Sequence, residues 1–478
     1  MDRDQLFAVL DGFNPWWKGE RRPVPSFHRL AYHTCRRFLG MRELRRAVLL
    51  SGARRVGKTT VLLQIVDALL NEGHEPQSIC HLSLDHPLIK LVTLPELLGL
   101  YHERVYPDGK PVWLLLDEVQ YSPEWDLYLK QLVDQKPQYR ILATGSSSLA
   151  HRQRLSHSGV GRWIRVPMPT LSFYEFAALR GEARAEVPAE LRPSDLFSES
   201  EMGLATLASR LRPLMPLFQR YLLVGGFPET ARLDRLEVCQ QVLREDVVER
   251  VLKRDMVGLF GVRSVANLER LFMYICVHSG GLLSVRQCSQ NLGIAAATVG
   301  SHLESLEQGH LIYRLPPAAV GGKKTLNAPQ KVYLADAALR NAVLLKGEEV
   351  LRDPDEMGRI VETMMVRHLA TFRYWDVPRV TYWRDSPSGD EVDVVVRTPR
   401  YAIPVEVKYR SRAPLTAKEG IVHFCREEAV PEAYWVTQRE EDFGVARFDG
   451  LDTRFLRIPA HILAYLLGQT EQPPGDTG

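Results

Sequence analysis

Gly52-Ala53-Arg54-Arg55-Val56-Gly57-Lys58-Thr59 is the stretch on which the reading of this chain turns. It satisfies G-x-x-x-x-G-K-[ST] at every fixed position. The apolar run Ala47-Val48-Leu49-Leu50 precedes it, and a helix-like stretch beginning at Thr60 follows. A strand, a loop and a helix in that order are what the motif needs to cradle phosphates. The glycines allow tight backbone, so successive N–H groups can face anionic oxygens, and the helix N-terminus adds partial positive charge. Lys58 is expected to reach the β- and γ-phosphates of ATP and the Thr59 hydroxyl to ligate Mg²⁺. Residues 52–60 are the candidate nucleotide-binding set.

At 478 residues the chain is expected to fold as roughly three domains. Hydrophobic residues at 45% and charged residues at 25% place it among ordinary soluble globular proteins. No apolar run is long enough to span a membrane, and the N-terminus lacks the basic and apolar regions of a secretory signal. The six cysteines, at 35, 80, 239, 276, 288 and 425, form no C-x-x-C pair, so neither a zinc site nor a disulfide framework is expected. A reducing cytoplasm fits this usage. A net charge of +3 permits a local basic face but does not by itself establish nucleic-acid binding.

A second motif supports the first. Residues 111–120 read PVWLLLDEVQ, an apolar strand ending in two acids, at the edge where open α/β sheets place ligands. Asp117 is expected to hold Mg²⁺, directly or through water, and Glu118 to orient and deprotonate the attacking water. Residues 140–148, RILATGSSS, read as another strand ending in hydroxyls, with Thr144 or Ser146 as the γ-phosphate-sensing residue and a Ser-rich turn as the alternative. Arg162 precedes a further strand, where AAA-type rings carry the finger that enters a neighbour's site, with Arg152 and Arg154 as substitutes; a surface arginine capping a loop is the alternative. A finger acting in trans requires a homo-oligomer.

These residues, together with Asn14-Pro15-Trp16-Trp17, residues 171–176 (LSFYEF), 221–228 (YLLVGGFP) and 331–336 (KVYLAD), resemble a family of bacterial and archaeal AAA-type ATPases that carry a C-terminal domain. The resemblance runs over nearly the whole chain. It departs at Ala337-Ala338-Leu339, where the family more usually has a glycine before the leucine, a matter of a structural turn.

Residues 178–202 are polar and hold Pro188 and Pro193, as a connector would. The helical pattern from 204 to 252 is expected to form a lid, an assignment the resemblance also implies, with Arg220 and Arg254 as candidate phosphate sensors or surface salt-bridge partners. Residues 265–317 read as helix, short helix, second helix and strand, the order of a winged helix. Thr298, Ser301 and His302 are the expected polar face of its second helix. That helix is poor in cations, so DNA and a protein partner are both open; Lys323 and Lys324 are candidate phosphate contacts from a wing.

A second constellation lies between 358 and 410. Glu362 falls on an amphipathic helix, Asp393 on a strand, and Glu406 and Lys408 two apart on the next strand, hence on one face. Glu406 and Lys408 alone could be an exposed strand with alternating charges. Adding Asp393 and Glu362 gives the hard-oxygen set that suits Mg²⁺ or Mn²⁺, where a metal can activate water against a phosphodiester. The pattern resembles the PD-(D/E)XK nuclease superfamily, with Glu391-Val392-Asp393 in place of a Pro-Asp. The resemblance implies metal ligation by Glu362, Asp393 and Glu406, with Asp393, Glu406 and Lys408 as the catalytic set.

The expected fold class is α/β and multidomain. An AAA-type parallel-sheet ATPase core with an N-terminal extension spans 1–177, a connector and helical lid 178–258, a winged helix 259–322, a restriction-endonuclease-like domain 323–468, and a disordered tail 469–478. The expected function is ATP hydrolysis by Glu118 and Lys58, aided by Arg162, coupled to DNA binding and metal-dependent DNA cleavage. The alternatives are an ATP-dependent switch or scaffold on DNA or protein, and a transcription regulator.

Overall fold

The computed structural model describes residues 2–41, 43–145, 161–181, 187–318, 328–372, 378–385, 387–398 and 401–472. They form two compact units, one ending at Met168 and the other beginning at Pro169.

The first unit holds α1 (Arg3–Phe13), α2 (Leu30–Gly40), β1 (Ala47–Ser51), α3 (Lys58–Asn71), β2 (Ile79–Ser83), α4 (Leu94–Arg104), β3 (Val112–Asp117), α5 (Trp125–Gln135), β4 (Tyr139–Gly145) and β5 (Trp163–Pro167). The strands form one parallel sheet in the order β2-β3-β4-β1-β5. β1 and β3 are continuous apolar runs because helices cover both faces of such a sheet. Strand β4 lies between them, and the register aligns Ser51 with Gly145, so the loops after β1, β3 and β4 open at one edge. The Asn-Pro-Trp-Trp segment has a structural job at the other side of this sheet. β2 is an edge strand, and its outward groups are taken by this segment. Trp16 and Trp17 donate their indole N–H groups to the Ile79 carbonyl at 3.0 Å each. The Asn14 amide donates to the His81 carbonyl at 2.9 Å and accepts the His81 N–H at 2.7 Å. A bare edge would template pairing with another chain, and here side chains cover it.

The second unit is α/β. It opens with α6 (Phe173–Arg180) and α7 (Met215–Val224), then α8 (Val265–His278), β6 (Leu282–Leu283), α9 (Val285–Leu292), α10 (Ala296–Gln308), β7 (Ile312–Leu315) and β8 (Gln330–Leu334). The three short strands make an antiparallel sheet, β6-β8-β7. β8, on the C-terminal side of the expected 322/323 boundary, therefore completes the sheet of the preceding segment. The expected polar face of α10 needs one correction. Ser301 is exposed, but His302 is buried, and burial lowers its pKa. In a helix, 299, 302, 303 and 306 fall on the packed side, and sequence polarity alone placed His302 wrongly. Lys323 and Lys324 lie outside the described residues.

After α11 (Ala337–Leu344) and α12 (Pro354–Thr371) come β9 (Arg379–Arg384), β10 (Glu391–Arg397), β11 (Ala402–Lys408), α13 (Gly420–Glu428), β12 (Glu432–Thr437), β13 (Gly444–Phe448), β14 (Leu451–Pro459) and α14 (Ala460–Thr470). The six strands form a mixed sheet, β13-β14-β12-β11-β10-β9. Ile421, Val422 and Phe424 of α13 pack on Val392, Trp435 and Phe455. Asp336 knots distant parts of this unit. It is buried, accepts the Gly226 N–H at 2.8 Å and caps α11 through the Ala338 N–H at 3.0 Å. Gly225 has φ +74°, and a Cβ there would run into the Asp336 carboxylate, which explains the Gly-Gly pair. Arg220, a candidate phosphate sensor, instead donates to the Leu233 carbonyl at 2.8 Å; Arg254 is exposed.

Candidate functional site

In the first unit the loop of residues 52–57 joins β1 to α3, and Lys58 and Thr59 open the helix. Two backbone positions are left-handed, Arg55 with φ +62° and Gly57 with φ +98°. Arg29 steadies the loop by donating to the Val56 carbonyl at 2.9 Å, and Arg54 donates to the Tyr121 hydroxyl at 2.8 Å. Val56 and Ala53 are buried; Thr60 is half-buried on α3. Gly52 is fixed by close approach, because a Cβ there would run into the Met168 carbonyl oxygen and meet Val56 at 3.2 Å. Gly52→Ala is expected to cost about 1–3 kcal/mol of stability by overpacking and to weaken nucleotide binding. Thermal unfolding and titration with a fluorescent ATP analogue check both effects.

Lys58 is 4% exposed. Its ammonium donates to the Ala53 and Gly52 carbonyls at 3.0 and 3.2 Å and lies 3.7 Å from Glu118 Oε1. The Thr59 hydroxyl donates to Asp117 Oδ2 at 2.7 Å. The Thr144 hydroxyl donates to the other oxygen, Asp117 Oδ1, and accepts the Glu118 N–H at 3.2 Å. Thr144, not exposed at all, is thus the hydroxyl that β4 contributes; Ser146, Arg152 and Arg154 lie outside the described residues. Glu118 sits at φ +54°, ψ +50°, an unusual region for a side-chain-bearing residue and of the kind stored at functional sites. That backbone points its carboxylate toward Lys58, and Gln120 donates to its Oε2. Hard oxygens of Thr59 and Asp117 therefore meet beside the loop, a donor set that suits Mg²⁺.

Arg162 is elsewhere. Its guanidinium grips Asp134 of α5 at 2.8 and 3.0 Å, and its carbonyl accepts the Ala47 N–H at 3.0 Å. This is the start of β1, at the far end of the strand from residue 52. The structure does not bring Arg162 to the loop of its own chain.

In the second unit the expected convergence of Asp393, Glu406 and Lys408 is present. Asp393 lies where the pairing of β10 with β9 shifts between Val392 and Val395, an irregularity of the kind that re-aims side chains beside sites. Its N–H donates to Glu406 Oε2 at 3.1 Å, its Oδ2 accepts the Val407 N–H at 3.0 Å, and Lys408 pairs with Glu406 Oε1. Three residues that sequence reasoning left without a role join them. Lys331 of β8 places its ammonium 2.6 Å from Glu391 Oε1, 2.8 Å from Asp393 Oδ1 and 3.4 Å from Glu362 Oε1. Tyr333 donates to the same Glu362 oxygen at 2.6 Å. A lysine and tyrosine two apart on an apolar strand were the available signal. Burial and the Asp393 charge push Glu406 up to about 8 and Glu362 up to about 7. Burial works to raise Asp393 as well, but Lys331 and Lys408 outweigh it and hold it below the usual carboxylate range.

The donor chemistry of Glu362, Asp393 and Glu406 suits a hard divalent cation, but their arrangement does not form the expected metal set. Among the described residues no group of three or more His, Cys, Asp or Glu side chains is placed to hold a metal ion. The oxygens of Glu362 and Asp393 converge on the Lys331 ammonium, and Glu406 turns to Lys408.

The first unit has a parallel-sheet P-loop fold, and residues 44–177 match the family described as AAA domain. Residues 215–350 and 357–459 match two further families, each described as a domain of unknown function (DUF8612 and DUF4143). Among whole proteins, the chain is similar to the uncharacterized protein MJ1637 of Methanocaldococcus jannaschii, 27% identical over 332 residues, 68% of each chain. It is also similar to an uncharacterized protein of Haemophilus influenzae, 22% identical over 62% of this chain and 69% of the other. Among solved structures it bears a loose likeness to the Walker-type ATPase PABY2304 of Pyrococcus abyssi, with a TM-score of 0.37 and 15% identity over 69% of this chain and 99% of that one. Among the described residues no helix is long and apolar enough to cross a membrane, and all six cysteines are free and buried.

Proposed function

We infer that this protein binds ATP with Mg²⁺ at residues 52–60 and hydrolyses it. The observation that carries this reading is the junction of Lys58, Thr59, Asp117, Glu118 and Thr144 at one sheet edge. Lys58 neutralises phosphate charge. Thr59 and Asp117 hold Mg²⁺, which when bound draws off charge developing on the phosphates. Glu118, fixed through its own N–H by Thr144, orients and deprotonates the attacking water. Arg162 can reach a phosphate only in the site of a second copy, so its use as a finger makes the active form a homo-oligomer. Glu118→Gln is expected to keep ATP binding and lower turnover by roughly 10²- to 10⁴-fold. Equal turnover by the variant would remove Glu118 from the reaction.

The order helix, strand, helix, helix, strand, strand, with the sheet β6-β8-β7, supports a winged helix in the second unit. The mixed sheet carrying Asp393, Glu406 and Lys408, with Glu362 on α12, supports a PD-(D/E)XK-like domain; action on DNA with Mg²⁺ or Mn²⁺ as its cofactor requires these acids to leave the lysines they pair with. A second reading keeps that domain for recognition alone, in a cytoplasmic switch or scaffold that binds DNA or a protein partner. It is favoured by the Lys331 ammonium among the acids and by the lack of Lys and Arg on α10. Cleavage of several DNA and RNA structures, with and without ATP and Mn²⁺, separates the two. Cutting lost in a variant with alanine at both Glu406 and Lys408 supports the nuclease, and no cutting under any condition supports the scaffold.

A further inference from the structure

The acid cluster contains two lysines, and only one of them belongs to the motif. Lys408 is committed to Glu406. Lys331 arrives from a different sheet, since β8 is hydrogen-bonded to β6 and β7 and not to the six strands that carry Asp393 and Glu406. Its side chain is 3% exposed. Carboxylates from β10 and from α12 converge on it, two of them within 2.8 Å. Tyr333, on the same face of β8, fastens Glu362 at that point. Among the described residues the ion pairs of this buried ammonium are with these acids, and those of the acids are with it and Lys408. A divalent ion binds carboxylate oxygens at about 2.0 to 2.6 Å. An ammonium already in contact with these oxygens repels such an ion and competes with it for them.

We propose that Lys331 is the resident cation of this cluster, and that a divalent ion gains Glu362, Glu391 and Asp393 only by displacing it. The inference rests on the reading of these acids as a cation site, not on cleavage. It makes Lys331 a positioning residue that holds the acids together and keeps them closed to metal.

The test is Mn²⁺ binding by the full chain without nucleotide, followed by paramagnetic resonance of free Mn²⁺ and by thermal unfolding. Only sites lost in Asp393→Asn are counted, which sets aside any Mn²⁺ near Asp117. The wild type is expected to show no such site at micromolar Mn²⁺. Lys331→Met should bind at the cluster roughly tenfold or more tightly, because the competing charge is gone. It should also melt lower than wild type without metal and recover with Mn²⁺, which a purely structural lysine would not produce. Lys331→Arg should behave as wild type. A micromolar, Asp393-dependent Mn²⁺ site in the wild type overturns the proposal, and this arm needs no substitution at 331. A folded Lys331→Met with no Mn²⁺ site overturns it too. DNA cleavage is read separately, so loss of the nuclease reading and loss of this one are distinguishable.

Discussion

Replacing Lys58 by alanine is expected to lower ATP turnover by roughly 10²- to 10³-fold, the loss typical of removing one preorganised charge from a site where charge develops. The ammonium is enclosed by its own loop, held by the Gly52 and Ala53 carbonyls, and faces Glu118 at 3.7 Å. Alanine removes the cation that phosphates would meet and leaves the loop carbonyls without their donor. It also releases Glu118 from its nearest positive neighbour. Lys58 lies in the first turn of α3, where alanine is well tolerated, so the helix should persist. Phosphate release in the steady state gives the rate, and circular dichroism confirms the fold. Unchanged turnover would separate hydrolysis from residues 52–59 altogether.

The largest expected effect on stability lies away from both sites. Arg340 of α11 and Glu356 of α12 are both buried and joined by two contacts, one of them 3.1 Å, and Arg340 also donates to the Cys276 carbonyl at 3.0 Å. Lys346 adds a contact to Glu356 at 2.9 Å. Glu356→Ala leaves the guanidinium buried without its carboxylate, which should cost about 3–5 kcal/mol. Denaturant unfolding of the full chain reads this as an early transition of the second unit. The pH dependence has a fixed sign. Burial would raise Glu356, but hydrogen bonds from Arg340 and Lys346 bring it down to about 2, below its ordinary 4.5. The pair's contribution is therefore fully present above pH 4.5 and fades as pH falls toward 2. The Glu356→Ala protein should lose that part of the acid sensitivity; identical acid-unfolding slopes would show the pair to be unimportant.

The candidate nucleotide loop was legible in the sequence because its residues are contiguous. Eight residues in a row define the loop, and Asp117-Glu118 ends an unmistakable apolar strand. Thr144 against Ser146 could not be decided there, since choosing between hydroxyls needs the Asp117 oxygen that Thr144 meets. The acids of the second unit were legible from spacing on paired strands. Lys331 was not, because it is 62 residues from Asp393 and comes from another sheet. Its segment reads as a buried strand, and a lysine there gives no hint of its partners. His302 failed for the opposite reason, as a polar residue on a face that packing, and not polarity, assigns. The pairing of β8 with β6 and β7 across the expected 322/323 boundary could not be read in the sequence, because strand pairing is a tertiary fact.

The way the second unit closes has a bearing on how the protein is made. α6, at its beginning, packs on α14, near its end, with Tyr174 and Tyr465 in edge contact at 5.1 Å. The Phe173 N–H donates to His368, 195 residues further along. On a ribosome, α6 emerges long before its partner exists. The first unit contains all five strands of its sheet by residue 167 and can settle as it leaves the tunnel. Phe173 and Phe176 meet Phe218 and Tyr221 of α7 early, but the face of α6 that carries Tyr174 must wait for α14 until nearly three hundred more residues are synthesised. Contacts of such long sequence separation close slowly. That interval, more than either finished unit, is when this chain would need a chaperone.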